Sequence, residues 1–377
     1  MHRFRLFRGY TSLRRVSLPP SRGMAKEITV DTKYELYRLE SGPSTKATIT
    51  EEEAIHALKT MNYIRRMESK CAELYRTRMI NGFLHLYSGQ EAVAVGMTMA
   101  MKESDSLITA YRCHGFGICF GLSARQVLAE LMGRRTGASQ GKGGSMHMYA
   151  PRFYGGDGIV GGQVPIGVGL AFAHKYKGSG GVAWVLYGDG AASQGQIYEA
   201  YNMSKLWNLP VVYICENNQY AMGTAAHRHS ANTAFYTRGD LIPGVKVDGM
   251  HILDVHEAVK FAGDYALRNG PIILEMDTYR YFGHSMSDPG ISYRSRDEVK
   301  QIQTEADPIT NLHKLIVQNG LKTQEELEEM RKATWKQVDQ ELEEAKADPP
   351  PDLTEIGTHV YSKPLEKSRG KVPWQTH

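Results

Sequence analysis

Val182-Ala-Trp-Val-Leu-Tyr187 runs straight into Gly188-Asp189-Gly190, and further on Val211-Val-Tyr-Ile-Cys215 runs into Glu216-Asn217-Asn218-Gln219-Tyr220. Both apolar runs are short, rich in β-branched and aromatic residues, and bounded by turn formers, so they predict strands. They are apolar at every position rather than every second one, which predicts burial on both faces, as in a parallel sheet. A helical pattern over roughly Ser193–Leu206 lies between them, and a further strand-like run, Ile272–Met276 (IILEM), follows. The expected fold is therefore α/β, a mostly parallel sheet with helices on both faces. Sheets of this kind bind ligands beyond the carboxyl ends of their strands, where the strand order reverses. Asp189 and Asn218 both stand at that edge.

A carboxylate, an amide oxygen and nearby main-chain carbonyls make a hard, oxygen-only donor set. Such a set suits Mg²⁺, which completes its octahedron with phosphate oxygens and water. The alternative is a turn Asp and a helix-capping Asn, each common singly. Two other glycine patterns fail as nucleotide sites. Gly156-Asp-Gly158-Ile-Val-Gly161 spells GxGxxG but follows MYAPRFYG instead of an apolar strand. GASQGKGGS (137–145) resembles a phosphate loop, yet Lys142 is followed by glycine where Ser or Thr is required.

Outward from this centre the texture is helical. Thr50 and Glu53 form a candidate capping box ahead of Ile55, Leu58, Met61, Ile64, Met67, Cys71 and Leu74, which recur at helical spacing. Residues 321–347 read as a strongly charged helix ended by Pro349–Pro351. No internal repeat is evident. No apolar run approaches the roughly 20 residues of a membrane span, so no membrane association is expected. Four scattered cysteines without a CxxC indicate neither a disulfide framework nor a zinc site.

The formal net charge is +4, from 45 Lys+Arg against 41 Asp+Glu. Six of the arginines lie in residues 1–25 (Arg3, Arg5, Arg8, Arg14, Arg15, Arg22), interspersed with hydroxyls and apolar residues and with no acid before Glu27. Arg-rich, Ser-bearing and acid-free is the signature of a mitochondrial presequence, the alternative being a basic surface tail. Without those six, 39 basic residues face 41 acidic ones, a net of −2, which removes the argument for a nucleic-acid partner.

Asp189 within YGDGAASQGQ, followed by ENNQYAMGT, resembles the thiamin-diphosphate motif that opens with GDG and closes with paired asparagines. The resemblance extends over roughly 45–365 through GFLHLYSGQEA, AYRCHG, GKGGSMHMY, YGGDGIVGGQVPIG and YRYFGHSMSDPGISYR. Together they resemble the alpha subunits of the thiamin-diphosphate-dependent 2-oxo acid dehydrogenases, on the pyruvate side of that family. The organisation expected is a mitochondrial presequence (1–25), an arm (26–47), a diphosphate-binding domain with a C-terminal helical region (48–365) and a tail (366–377).

The resemblance implies thiamin diphosphate and Mg²⁺ as cofactors, with the metal on Asp189, Asn218 and the Tyr220 carbonyl. It implies backbone contacts from Gly190 and Ala191 at a helix start, and Tyr111 and Arg112 on the diphosphate and near the substrate. The residues alone allow Arg112 to be a surface ion-pair partner instead. Ala150, Gly158 and Val160 would line the aminopyrimidine site. His85 and His284 would do acid/base and charge-stabilising work beside the substrate, His284 also touching the cofactor; either could equally be a structural histidine. Ser285 and Ser292 would be phosphorylated to switch the enzyme off, by a kinase opposed by a phosphatase. At a third such position Ala225 offers no hydroxyl.

Only the diphosphate-binding half of a thiamin enzyme is readable. The implied partner is a beta subunit in an α₂β₂ heterotetramer, serving a lipoyl acyltransferase core in the mitochondrial matrix. The rivals are the branched-chain 2-oxo acid type of alpha subunit and a non-catalytic regulatory paralogue.

Overall fold

Side chains along the central strands alternate between two separate cores, so both faces of the sheet are dry. In the computed structural model, which describes residues 27–359, six strands form this sheet. They are β1 (Glu35–Tyr37), β2 (Ser106–Ile108), β3 (Ala183–Gly188), β4 (Val211–Asn217), β5 (Gly244–Asp248) and β6 (Ile272–Asp277). Their spatial order is β1-β5-β6-β4-β3-β2, parallel throughout except for the short antiparallel edge strand β1. The three expected strands are present, each extending slightly further toward its carboxyl end.

The principal helices are α1 (Glu51–Arg76), α2 (Glu91–Ala100), α3 (Gln163–Lys177), α4 (Gly195–Leu206), α5 (Ile252–Asn269) and α6 (Gln324–Ala347). Ala183, Val185, Tyr187, Val211, Tyr213 and Cys215 pack against Val164, Val168 and Ala171 of α3 and Ile197 and Ala200 of α4. Trp184, Leu186, Val212, Ile214 and Leu274 point the other way, into a larger core with residues of α1, α2 and α5. Each fully buried aliphatic side chain contributes about 1.5–3 kcal/mol. This two-sided burial explains the unbroken apolar runs.

The flanks are stitched to this centre. The capping box forms as expected: Glu53 N–H donates to Thr50 Oγ1 at 3.3 Å and Thr50 N–H to Glu53 Oε2 at 3.0 Å. A matching Thr323–Glu326 box opens α6. Arg66 grips Asp339 with two bonds of 3.0 and 2.6 Å, and Tyr63 Oη donates to Glu341 at 2.6 Å, fastening α6 onto α1. The N-terminal arm is ordered structure: Glu27–Asp31 pairs with Lys46–Thr50, and β1 extends the main sheet. The segments 1–25 and 366–377 lie outside the described residues.

Strand order decides where polar groups can emerge. β2, β3 and β4 are laid down side by side, after which the chain skips a place to form β5 and returns to insert β6 beside β4. The direction therefore reverses at β5, and β6 fills the skipped place beside β4; Asn218 follows the carboxyl end of β4 and Asp189 that of its neighbour β3.

Close approach of α3 to β3 depends on Gly167, where an added Cβ would lie 2.2 Å from Val185 Cγ2. Gly167→Ala is expected to cost about 1–3 kcal/mol through overpacking. Gly169→Ala on the same helix, facing open space, should be neutral or stabilising by up to about 1 kcal/mol. Urea midpoints of the two variants check this, and equal midpoints would contradict the packing account.

Candidate active site

Asp189 follows β3 and is buried; its Oδ2 lies 3.1 Å from His229 Nε2. In the β3–β4 register Gly188 sits opposite Glu216, so Asp189 and Asn218 occupy adjacent strand ends. Asn218 is held through both halves of its amide. Its Nδ2 donates to Gln90 Oε1 at 3.2 Å, and Gln90 Nε2 in turn donates to Glu216 Oε1 at 3.0 Å. Tyr87 Oη donates to the same Glu216 oxygen at 2.7 Å. With its nitrogen committed, Asn218 presents Oδ1 to the site. There Arg280 Nη1 donates to both Asn218 Oδ1 (3.1 Å) and the Tyr220 carbonyl (2.6 Å). A cationic group thus already rests on two of the three oxygens expected to hold a metal, which shows that they converge and attract positive charge. The donor set fits Mg²⁺.

His85, Tyr111, Arg112 and His284 form a second group. The His85 ring lies 4.5 Å from Tyr111 and 5.2 Å from His284, centroid to centroid, and Tyr111 lies 5.4 Å from His284. Arg112 is buried beneath them, donating to the Leu86 carbonyl at 2.5 Å and the His284 carbonyl at 3.0 Å. It is therefore no surface ion-pair residue. Burial, reinforced by Arg112 and by His284, pushes His85 down to about 3. Burial, with Arg112 and Arg280, pushes His284 down to about 4. Both rings are neutral at pH 7 in the cofactor-free chain, so they act there as hydrogen-bonding partners and bases. The positive charge beside them belongs to Arg112 and Arg280. His85 Nδ1 is buried with no hydrogen-bond partner among the described residues, a polar atom left over for a ligand.

The loop carrying His284 is braced by Asp288, whose Oδ2 accepts from His284 N–H (2.7 Å) and Tyr293 Oη (2.6 Å). Tyr293 Oη also meets Arg280 Nη2 at 2.9 Å, joining this loop to the oxygen cluster. Ser285 is buried in the loop with its hydroxyl 2.9 Å from that of Ser287, whereas Ser292 is exposed.

Gly190 and Ala191 depart from the expected local structure. The helix foreseen from Ser193 begins at Gly195, and a 3₁₀ turn over Ala191–Ser193 intervenes, with Gly190 as its cap. Gly158 and Val160 are exposed; the Val160 carbonyl accepts from Gln196 Nε2 at 3.1 Å, which lays this glycine stretch across the start of α4. Ala150 is not tied to the other site positions by any hydrogen bond among the described residues; its backbone pairs with Phe153.

The second glycine loop is filled from within. The amides of Ser139, Gly141, Gly143 and Gly144 converge at 2.6–3.1 Å on the buried carboxylate of Glu130. The anion in this nest is the protein's own. Sequence reasoning did not single out Arg280, Gln90, Glu216 or His229. Arg280 and Gln90 lay inside quoted motifs, but His229 reaches a carboxylate far back in the chain and left no local signal.

A parallel α/β sheet with an oxygen cluster at adjacent strand ends, flanked by buried arginines and neutral histidines, defines an enzyme subunit built to hold a phosphate-bearing cofactor. The family model for the dehydrogenase E1 component matches residues 59–354, and the chain belongs to that oxidoreductase family. It is 51% identical over 356 residues to the pyruvate dehydrogenase E1 component subunit alpha, mitochondrial, of Sminthopsis macroura, covering 94% of this chain and 98% of the relative. The somatic-form Bos taurus subunit is 51% identical over 360 residues (95% and 92% covered). The corresponding protein of Saccharomyces cerevisiae is 52% identical over 355 residues (92% and 83%).

The depressed histidines predict acid sensitivity. An unfolded chain binds protons at His85 and His284 near pH 6.5, while the folded chain binds them only near 3 and 4. Stability therefore falls as pH drops from about 6.5 toward 4. Replacing both residues by Asn should reduce the pH slope of unfolding free energy near pH 5.5 by about two protons. Urea melts across pH 5–7 measure it; an unchanged slope would contradict the assigned burial.

Proposed function

We propose that this chain is the alpha subunit of a mitochondrial pyruvate dehydrogenase E1 component. It would carry out thiamin-diphosphate-dependent oxidative decarboxylation of pyruvate and reductive acetylation of a lipoyl group on an acyltransferase. The observation that carries this reading is the oxygen cluster of Asn218 and the Tyr220 carbonyl after one strand, with Asp189 after the adjacent one. The printed names of the similar proteins support pyruvate over a branched-chain substrate. The intact polar site speaks against a non-catalytic paralogue.

In this reading Asp189, Asn218 and the Tyr220 carbonyl would hold Mg²⁺, which would supply positive charge for the cofactor's diphosphate. Thiamin diphosphate, when bound, supplies the carbanion-stabilising chemistry that releases CO₂ from a 2-oxo acid. Gly190 and Ala191 approach the diphosphate through backbone of a 3₁₀ turn. Tyr111 and Arg112 would stand beside it and the substrate carboxylate, Arg112 contributing its positive charge while its terminal nitrogens hold the Leu86 and His284 carbonyls. Ala150, Gly158 and Val160 flank the pyrimidine. His85 and His284, neutral at rest, accept and return protons beside the reacting carbon; anionic ligands raise their basicity toward the working pH.

The partner is a beta subunit that completes the active site in an α₂β₂ heterotetramer, and the assembly serves a lipoyl acyltransferase core. The Arg-rich segment 1–25 directs the chain to the mitochondrial matrix, and the functional domain spans 48–365. Ser285 and Ser292 are sites for a kinase and phosphatase. Phosphate on either adds about −2 charge in the loop that orients His284. Ser292 is accessible as the loop stands, whereas Ser285 requires the loop to open.

Calorimetric titration of thiamin diphosphate and Mg²⁺ onto the co-expressed alpha–beta complex tests the reading. Asp189→Ala should abolish Mg²⁺-dependent binding, and unchanged affinity would sink the metal assignment. His284→Ala should retain binding and lower turnover about 10²-fold or more. Pyruvate should be preferred to 3-methyl-2-oxobutanoate, and the chain alone should not turn over.

A further inference from the structure

Asp189 is the one carboxylate in the proposed metal set, so what holds it in place bears on metal affinity. Its Oδ2 is met by His229 Nε2 at 3.1 Å, from the last residue of a short helix, Ala226–His229. The opposite ring nitrogen, Nδ1, lies 2.8 Å from Ser230 Oγ. Ser230 is buried and its own N–H caps the same helix through the Ala226 carbonyl at 3.0 Å. Ser230, His229 and Asp189 therefore form a continuous file of polar contacts ending on the carboxylate.

We propose that His229 is a positioning residue for metal binding, acting through Asp189; this rests on the reading that Asp189 holds Mg²⁺. A carboxylate oxygen accepts, so His229 Nε2 carries the proton directed at Asp189 Oδ2, while Ser230 Oγ holds the ring from its Nδ1 side. One carboxylate oxygen is thereby satisfied and the side chain is fixed in a single orientation, with the other oxygen left for the ion. Partners that orient metal-bound carboxylates typically change affinity 10–100-fold when removed. Arg280 does the complementary work on the uncharged oxygens of Asn218 and Tyr220.

The test uses Mn²⁺ as the probe, titrated onto the co-expressed complex at saturating thiamin diphosphate and read by electron paramagnetic resonance of free Mn²⁺. His229→Ala should weaken Mn²⁺ binding about 10-fold or more. His229→Gln, whose Nε2 falls where the imidazole Nε2 lay, should bind within about 3-fold of wild type. Ser230→Ala, which releases the Nδ1 side but keeps the ring, should fall between them, and it carries the test if His229→Ala fails to fold. Thermal midpoints should stay unchanged for the Gln and Ser230 variants. Wild-type Mn²⁺ affinity in His229→Ala would overturn the proposal, as would a loss of affinity that tracks a lowered midpoint and is not rescued by Gln. Failure of wild type itself to bind Mn²⁺ would instead overturn the metal assignment on which the role depends.

Discussion

The register that sets Gly188 opposite Glu216 in two neighbouring parallel strands governs the rest of this molecule. Both strands are sealed on both faces, by α3 and α4 on one side and by α1, α2 and α5 on the other. Inside them most side chains meet apolar neighbours, and the polar atoms of Trp184, Tyr187 and Tyr213 are spent on fixed partners. Free polar groups therefore collect at the strand ends, and the register ensures that two adjacent ends deliver Asp189 and Asn218 together.

Once polar groups are gathered at a dry edge, each must be balanced. The solution is a network in which few atoms are idle. Glu216, buried and pushed up to about 7 chiefly by that burial, is quieted by Tyr87 and Gln90, and Gln90 fixes which way the Asn218 amide faces. Burial keeps His85 and His284 neutral, reinforced by the positive charge of Arg112 beside both and of Arg280 beside His284. The loop bearing His284 is bound to this network through Tyr293 and Asp288. The Asn218–Tyr220 oxygens and the His284 loop are thus physically linked, because both contact Arg280.

Glycine-rich segments illustrate how far spelling can be trusted. GASQGKGGS presents converging amides much as an anion-binding loop does, and the structure fills that nest with the protein's own Glu130. The nearby run 156–161 uses its glycines to cross the start of α4 closely. Gly188-Asp189-Gly190 differs from both in following a buried strand, and that context is why it was legible as a site. Its immediate sequel was less so: a 3₁₀ turn and a helix start share the same local composition, and only tertiary packing separates Ala191–Ser193 from Gly195 onward.

Patterns that repeat over neighbouring residues were readable without coordinates. The unbroken apolar strands, the Thr50–Glu53 cap, the period of α1 and the polar residues at two strand ends each express a constraint local to a few positions. They sufficed for the α/β class and for placing Asp189 and Asn218 at strand ends. The tertiary structure alone decided the spatial strand order, the inclusion of β1 in the sheet, the burial of Arg112, and the burial that keeps His85 and His284 neutral. It alone brought Arg280 onto Asn218 and His229 onto Asp189. Those outcomes depend on distances between residues far apart in the chain and on how much water remains between them, quantities that no local pattern of side chains encodes.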